Sequence, residues 1–201
     1  MKTKMIVLAI LIGVLGGRAQ NLQIPHYTVV PIENYNSYIE NHNHIPDGTY
    51  FKDVNHVLDD YIGTWTGTYN NMSYEIKLEL YTTSFLNIKS DCLIMRCKIT
   101  DNSGLVIINT LNVSDDNAYE GFGFAGDNNE YYKFVYGNPD DDIANCGDVG
   151  LLGAKLTTNN TKMQINISPS EIWLDPDKCP DGYQSPPFPT FKESPLVLTK
   201  Q

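Results

Sequence analysis

From Gly63 to near the C-terminus the chain alternates apolar and polar residues, and this period of two constrains its fold more than any other feature. In one run Tyr74, Ile76, Leu78 and Leu80 alternate with polar residues. Successive side chains of a β-strand point to opposite faces, so the alternation is typical of a strand with one buried face. The pattern therefore predicts a protein built mainly from β-strands.

The alternating runs are short, and turn sequences such as Asn-Asn and Asp-Asn-Ser-Gly separate them. The predicted strands cover residues 63–69, 73–80, 91–99, 105–113, 118–125, 130–137, 149–157 and 161–168, with short pieces at 171–174 and 195–200. Short strands at even spacing are typical of an up-and-down barrel or a sandwich. We expect an all-β, antiparallel up-and-down barrel of about eight to ten strands.

One helical period precedes the first strand. Apolar residues fall at helical spacing from Val54 to Ile62, and Asp53 can cap the segment. We therefore expect one short helix there. Residues 20–52 show no period and are expected to form an irregular arm, and residues 53–201 are expected to form a single barrel domain.

The first nineteen residues have the composition of a secretory signal peptide. Lys2 and Lys4 precede an apolar run from Met5 to Leu15, and small residues lead to Ala19. The apolar run is shorter than the roughly 20 residues that a membrane-spanning helix needs. We predict cleavage near Ala19 and a secreted or periplasmic mature chain without a membrane span.

Acidic residues outnumber basic ones, 24 to 14, and the formal net charge is −10. Three of the basic residues and none of the acidic ones lie within residues 1–19, so the mature chain is more acidic still. A surface of this sign repels a phosphate backbone and anionic lipid. We expect no nucleic-acid partner.

All four cysteines follow the predicted signal peptide, in a compartment where disulfides persist. Cys92 and Cys97 are five residues apart on one predicted strand, or about 16 Å, whereas a disulfide spans at most about 7 Å between Cα atoms. Cys146 and Cys179 lie in segments rich in Gly, Pro and Asp. This favours a disulfide between Cys146 and Cys179 and leaves Cys92 and Cys97 as free thiols.

The candidate binding site is the interior of the barrel, where aromatic side chains recur at alternate positions and suit an apolar ligand. The predicted ligand-contacting residues are Trp65, Tyr69, Tyr74, Phe122, Phe124, Tyr132 and Phe134. An eight-stranded barrel is just wide enough to be filled by its own side chains. The alternative is therefore a packed barrel that acts as a structural or interaction domain and holds no ligand.

The sequence contains no recognisable set of catalytic or metal-binding residues. It lacks a G-x-S-x-G nucleophile motif and a C-x-x-C pair, and the run from Asp140 to Asp142 lacks the remainder of a calcium loop. Arg96 has the opposite phase from Met95, so we expect it to point outward and pair with a carboxylate. We predict a non-enzymatic protein with no cofactor or metal, whose partner is a small apolar ligand or an envelope protein.

Gly63-Thr64-Trp65 at the start of the first strand resembles the Gly-x-Trp start of lipocalins, which implies a lipocalin-like barrel. Lipocalins also carry an arginine near the last strand that packs on this tryptophan. That arginine has no counterpart here, because Arg96 is the sole arginine after the predicted signal peptide and lies on the third strand.

A second resemblance spans roughly residues 30–201. It rests on IPDGTY at 45–50, IGTWTGTY at 62–69, LIMR at 93–96, Cys146-Gly147, CPDG at 179–182 and LVLTK at 196–200. Together these segments resemble an uncharacterised family of small exported proteins and lipoproteins of Bacteroidota. The resemblance implies bacterial export and supports the Cys146–Cys179 pairing. The chain departs from the lipoprotein form because Gln20, not a cysteine, follows the predicted cleavage site.

Overall fold

The structure is a computed structural model that describes residues 26–41, 44–125, 130–136, 150–169, 188–189 and 192–201. Within these residues the strands are β1 (Thr28–Pro31), β2 (Thr49–Lys52), β3 (Gly63–Tyr69), β4 (Met72–Phe85), β5 (Ile88–Thr100), β6 (Val106–Asn109), β7 (Tyr119–Ala125), β8 (Tyr131–Tyr136), β9 (Gly150–Thr157), β10 (Lys162–Pro169) and β11 (Leu196–Lys200). The α-helix α1 (Tyr35–Asn41) lies between β1 and β2. Single 3-10 turns cover Ile32–Asn34, Asp59–Tyr61 and Asp115–Asn117.

Eight of these strands close into a barrel. The ring runs β5, β4, β3, β11, β10, β9, β8 and β7 and then returns to β5. Ile94 and Met95 of β5 close it by pairing with Glu120 and Tyr119 of β7. Every pairing around the ring is antiparallel. The predicted all-β antiparallel barrel preceded by one short helix is confirmed, although the helix is α1 and not the segment where it was expected.

The predicted turns also join the expected strands. Asn70 and Asn71 link β3 to β4 with φ angles of 47° and 61°, as a type I′ hairpin turn requires. The hairpin of β4 and β5 is longer than predicted and reaches a turn at Leu86 and Asn87. Its outer end was not predicted because residues 82–84 are all small and polar and show no alternation.

Alternate residues of the strands build one core inside the barrel. On β4, Tyr74, Ile76 and Leu78 are buried, as expected. Leu80 has the same phase but is exposed, because β3 starts at Gly63 opposite Leu78 and does not extend to cover Leu80. The inward face of a strand is therefore buried only where neighbouring strands continue beside it.

The predicted helix at residues 53–62 is wrong. The Asp53 carboxylate accepts hydrogen bonds from the backbone N–H groups of Val57 (2.8 Å) and Leu58 (3.0 Å), which resembles a cap, but only one 3-10 turn follows. Leu58 and Tyr61 are buried in the core. They are apolar because the segment packs into one end of the barrel. The apolar spacing therefore indicates buried positions and not a helix.

Asp91 of β5 anchors the same segment. Its carboxylate accepts hydrogen bonds from the hydroxyls of Tyr50 and Thr82, both at 2.8 Å, and from the Asp53 N–H at 3.0 Å. Three donors satisfy the hydrogen-bonding capacity of this buried carboxylate, which would otherwise be costly to bury. Asp91 and Asp53 together hold the N-terminal residues against the barrel.

The N-terminal residues are not an irregular arm. They form β1, α1 and β2, and β2 extends the sheet by pairing in parallel with the outer end of β5. Phe51 of β2 packs its ring against Tyr35 (4.9 Å between centroids) and Tyr38 (5.4 Å). Elements of four and seven residues are too short to show a readable period, and packing against the barrel stabilises them.

Several predictions concern residues outside those that the structure describes. They are the signal peptide at 1–19, Cys146 and Cys179, the acidic run at 140–142 and the strand at 171–174. Among the described residues no helix has the length and apolar character needed to cross a bilayer. No group of three or more metal-ligating side chains is placed together in the same residues.

Candidate functional site

Most of the predicted ligand-contacting residues lie inside the barrel and pack against one another. Trp65, Tyr74, Phe124, Tyr132 and Phe134 are buried in the core, and Tyr69 is partly buried against it. The Tyr132 ring lies 5.2 Å from the rings of Phe124 and Phe134, centroid to centroid. These separations are those of directly packed aromatic pairs.

The two ends of the barrel contribute further rings. Tyr61 lies 5.8 Å from Tyr132, and Phe188 lies 5.8 Å from Tyr74 and 5.3 Å from Tyr136. The core is thus filled along its length by side chains of the protein itself. This packing favours the alternative in which the interior holds no ligand.

Polar atoms inside the barrel also bond within the protein. The Trp65 indole N–H donates to the carbonyl of Tyr61 (2.8 Å), and the N–H of Leu93 donates to the Tyr132 hydroxyl (2.9 Å). Burial raises the pKa of Tyr61 to about 12 and raises that of Tyr132 further, so both phenols stay neutral. Gly121 faces the Tyr132 ring so closely that a Cβ there would lie 2.3 Å from a ring carbon.

Phe122 does not face the interior, contrary to the prediction. The pairing of β7 with β8 shifts register between Gly121 and Gly123, which leaves Phe122 as an extra residue in a β-bulge. Its ring lies on the outside, where the ammonium of Lys133 is 5.9 Å from the ring centroid. Simple alternation places Phe122 on the same inward face as Phe124. The extra residue of the bulge shifts the alternation by one, so Phe122 lies on the opposite face.

Phe122 instead borders a groove on the outer surface. The groove has a volume of about 190 Å³ and lies between the N-terminal elements, the end of the β4–β5 hairpin and β7. Its apolar walls are Tyr35, Ile45, Phe51, Phe85, Ile88 and Phe122. Thr83, Ser90, Lys89 and Glu120 provide its polar and charged groups. A concave apolar surface with a few polar groups is the usual form of a small-molecule site.

The helix α1 is fixed over one wall of the groove. The Asn36 side-chain amide donates to the backbone carbonyl of Phe124, and the Tyr35 ring lies against Gly123, where a Cβ would be 3.2 Å from the ring. Gly123 has a φ of 128°, a conformation that favours glycine. The bulge and the helix therefore shape the groove together.

The polar end of the groove contains Glu120. Its carboxylate lies 4.0 Å from the Cys92 thiol, which is buried beside it on β5. Burial, and then the charges of Glu120 and Asp91, raise the pKa of Cys92 to about 12, so the thiol keeps its proton. Glu120 itself is exposed and forms no ion pair within the described part of the chain.

The hairpin tip at the rim of the groove exposes two large apolar side chains. Phe85 is 73% exposed and Leu86 is 80% exposed. Leu86 also has a φ of 52°, a strained conformation for a residue with a Cβ. Strain and apolar exposure at one position are both costly, and such positions cluster at functional sites.

The other candidate groups have structural partners. Arg96 points outward as predicted and is buried between the carboxylates of Glu79 and Asp115, while its Nε–H donates to the Val113 carbonyl (3.0 Å). The Cys97 N–H donates to the hydroxyl of Thr110 (2.8 Å), and burial raises the pKa of the Cys97 thiol to about 11. Arg96 therefore cannot serve as a free anion anchor, and Cys97 is an inert thiol.

The sequence prediction missed the groove because its residues come from segments that carry no joint pattern. Tyr35, Ile45 and Phe51 lie in the part predicted to be irregular, and Phe122 was placed inside. The one signal available was Phe85-Leu86, two adjacent large apolar residues at the end of a strand that otherwise alternates. A run of this kind breaks the period of two and marks exposed apolar surface.

Comparison with known proteins identifies a family but no characterised relative. No curated protein and no solved structure matches the chain. One family profile matches residues 1–152, which include the N-terminal elements, β3 to β8 and every wall of the groove. The chain therefore belongs to that family, described as a family of unknown function (DUF6705).

Proposed function

We propose that this protein is an exported bacterial binding protein, without enzymatic activity, that takes an apolar ligand into the groove outside the barrel. The signal-peptide composition of residues 1–19 supports export. The observation that carries the binding function is the groove itself, whose walls are apolar and whose volume is about 190 Å³. A cavity of about 150 Å³ lined by apolar side chains binds benzene, so the groove has room for one ring with a short substituent.

The interior of the barrel is the less favoured site. Its rings contact each other and its polar atoms bond within the chain, so an interior ligand has to displace packed side chains. Displacing packed side chains costs the dispersion energy of each lost contact. In the groove, by contrast, a ligand covers apolar surface that is open to water.

Nuclear magnetic resonance with indole as the probe tests this proposal. We expect the backbone amide signals of Ser90, Gly121 and Phe122 to shift on titration, while the buried Trp65 indole N–H signal stays in place. The variant Thr83→Phe fills the groove from its β4 side and should abolish the shifts. Ser84→Phe, on the exposed neighbouring residue outside the groove, is the matched control and should bind like the wild type.

Two results would contradict the proposal. A shift of the Trp65 indole signal with unchanged groove signals would place the ligand inside the barrel. Unchanged spectra with every apolar probe, together with a bare chain in native mass spectrometry of protein purified from its own periplasm or medium, would favour the second candidate. That candidate is a packed-barrel interaction domain without a ligand, and the filled interior is the observation in its favour.

A further inference from the structure

Glu120 places a carboxylate in the groove, which Lys89 also lines, and the Lys89 ammonium points to Tyr27, a residue outside the groove lining. Within the described residues neither Lys89 nor Lys133 forms an ion pair with it. The Lys89 ammonium lies over the ring of Tyr27, 4.7 Å from its centroid, and that of Lys133 lies over Phe122 at 5.9 Å. The Cys92 thiol lies 4.0 Å from the carboxylate. A neutral thiol is a weak donor and does not neutralise a carboxylate.

Four aromatic residues line the same groove as this carboxylate. Tyr35, Phe51, Phe85 and Phe122 all border the groove. The faces of such rings carry negative electrostatic potential and attract cations within about 6 Å of the centroid. The outer ring of the site, Phe122, already has the Lys133 ammonium at 5.9 Å.

The net charge of the whole molecule has the same sign as the Glu120 carboxylate. The net charge of −10 attracts cations and repels anions at the mouth of the groove. A ligand of one ring or a short alkyl body fits the volume of about 190 Å³, and Glu120 can accept its N–H donors.

We infer that the groove binds a small organic ammonium ion, with its apolar body between the aromatic walls and its cationic group beside the Glu120 carboxylate. This inference rests on the proposed function and specifies the ligand class for the same groove. The charge-assisted hydrogen bond and the ring faces favour the ammonium over a neutral molecule of equal shape.

Three probes with the same ring test the inference: benzylammonium, benzyl alcohol and benzoate. We expect benzylammonium to bind about tenfold more tightly than benzyl alcohol, and benzoate to bind most weakly. Dissociation constants come from chemical-shift titrations of the Ser90 and Gly121 amides. Raising the salt concentration should weaken the binding of benzylammonium and leave that of benzyl alcohol unchanged.

Matched variants distinguish the effect of the Glu120 charge on binding from any effect on the fold. Glu120→Gln should remove the preference for benzylammonium while benzyl alcohol still binds. Glu130→Gln is the control, because Glu130 pairs with Lys155 away from the groove. Phe122→Leu keeps an apolar wall but removes a ring face, and it should weaken benzylammonium binding more than benzyl alcohol binding. An unchanged amide spectrum of each variant confirms its fold.

The outcomes distinguish the two proposals. Equal binding of benzylammonium and benzyl alcohol, or an unchanged preference in Glu120→Gln, would overturn the inference and leave the proposed function intact. Tighter binding of benzoate would overturn it as well. Binding of none of the three probes would contradict both proposals.

Discussion

At the scale of single residues, Gly121 is a position where the barrel has no room for a side chain. A Cβ added there would lie 2.3 Å from a carbon of the Tyr132 ring and 2.9 Å from the carbonyl oxygen of Leu93. We expect Gly121→Ala to lower the free energy of unfolding by about 1–3 kcal/mol, the usual cost of overpacking a core. Urea denaturation followed by circular dichroism measures this change.

A double-variant cycle shows whether the Tyr132 ring is the cause of the Gly121 effect. In a Tyr132→Leu background the side chain at 132 is smaller, so Gly121→Ala should cost clearly less than it does in the wild type. An equal cost in both backgrounds would mean that the added methyl group acts through the Leu93 backbone and not through the ring.

The two thiols on β5 give a second prediction at this scale. Burial raises the pKa of Cys92 to about 12 and that of Cys97 to about 11, and only the thiolate is nucleophilic. Iodoacetamide at pH 8 should therefore leave both thiols unmodified in the folded protein and modify both after unfolding in urea. Mass spectrometry counts the modified groups.

The same experiment tests the proposed Cys146–Cys179 disulfide. Without a reductant, the unfolded chain should take up two carbamidomethyl groups, and with a reductant it should take up four. Four groups without reductant would disprove the disulfide, and rapid labelling of the folded chain at Cys92 or Cys97 would contradict their burial.

At the scale of the elements, the turn of the β4–β5 hairpin is strained by its first residue. Phe85 pairs with Ile88 across a two-residue turn in which Leu86 has a φ of 52°. A positive φ costs a non-glycine residue roughly 1–2 kcal/mol. We expect Leu86→Gly to stabilise the protein by about 1 kcal/mol in urea denaturation, since glycine adopts this conformation freely.

The control for this turn is Ser84→Gly in the adjacent strand. Ser84 pairs with Lys89 in extended conformation, where glycine only adds entropy to the unfolded chain. That variant should lose about 0.5–1 kcal/mol of stability. A loss of stability in both variants would show that Leu86 contributes packing that outweighs its strain.

The strands were predictable from the sequence because their inward apolar residues recur at every second position over most of the barrel. The alternation of β3, β4 and β5 and the Asn70-Asn71 turn required no knowledge of tertiary contacts. The predictions that were wrong concern segments whose conformation depends on packing against the barrel. Residues 53–62 follow its end and not a helix axis, and Phe122 turns outward because β7 bulges where Gly121 approaches β8. The groove could not be predicted for the same reason, because tertiary contacts bring its lining residues together.

At the scale of the whole molecule, the closed barrel determines where a ligand can bind. Eight strands enclose a space that side chains such as Trp65 and Tyr132 fill, so the interior contributes stability. The N-terminal elements then cover the outer face of β5 and create a second, incompletely filled interface. Residues of such an outer site can be substituted without disturbing the core, so binding can change while the fold stays the same.

Two buried thiols and one buried phenol predict how the stability of the whole protein depends on pH. Folding raises the pKa of Cys92 from 9.0 to about 12, that of Cys97 from 9.0 to about 11 and that of Tyr61 from 10.0 to about 12. Below pH 9 these groups are protonated in both states, and their full contribution is present. Above pH 9 the unfolded chain releases protons that the folded chain retains, so the free energy of unfolding falls as pH rises.

The expected slope is about 1.4 kcal/mol per pH unit for each group, beginning with the two thiols above pH 9 and joined by Tyr61 above pH 10. Urea denaturation at pH 7, 8, 9, 10 and 11 measures it. The double variant Cys92→Ala, Cys97→Ala should show a shallower decline between pH 9 and 10, because the thiols no longer contribute. A wild-type stability that stays constant from pH 8 to pH 11 would contradict the burial of these groups and, with it, the packed interior that directs ligands to the outer groove.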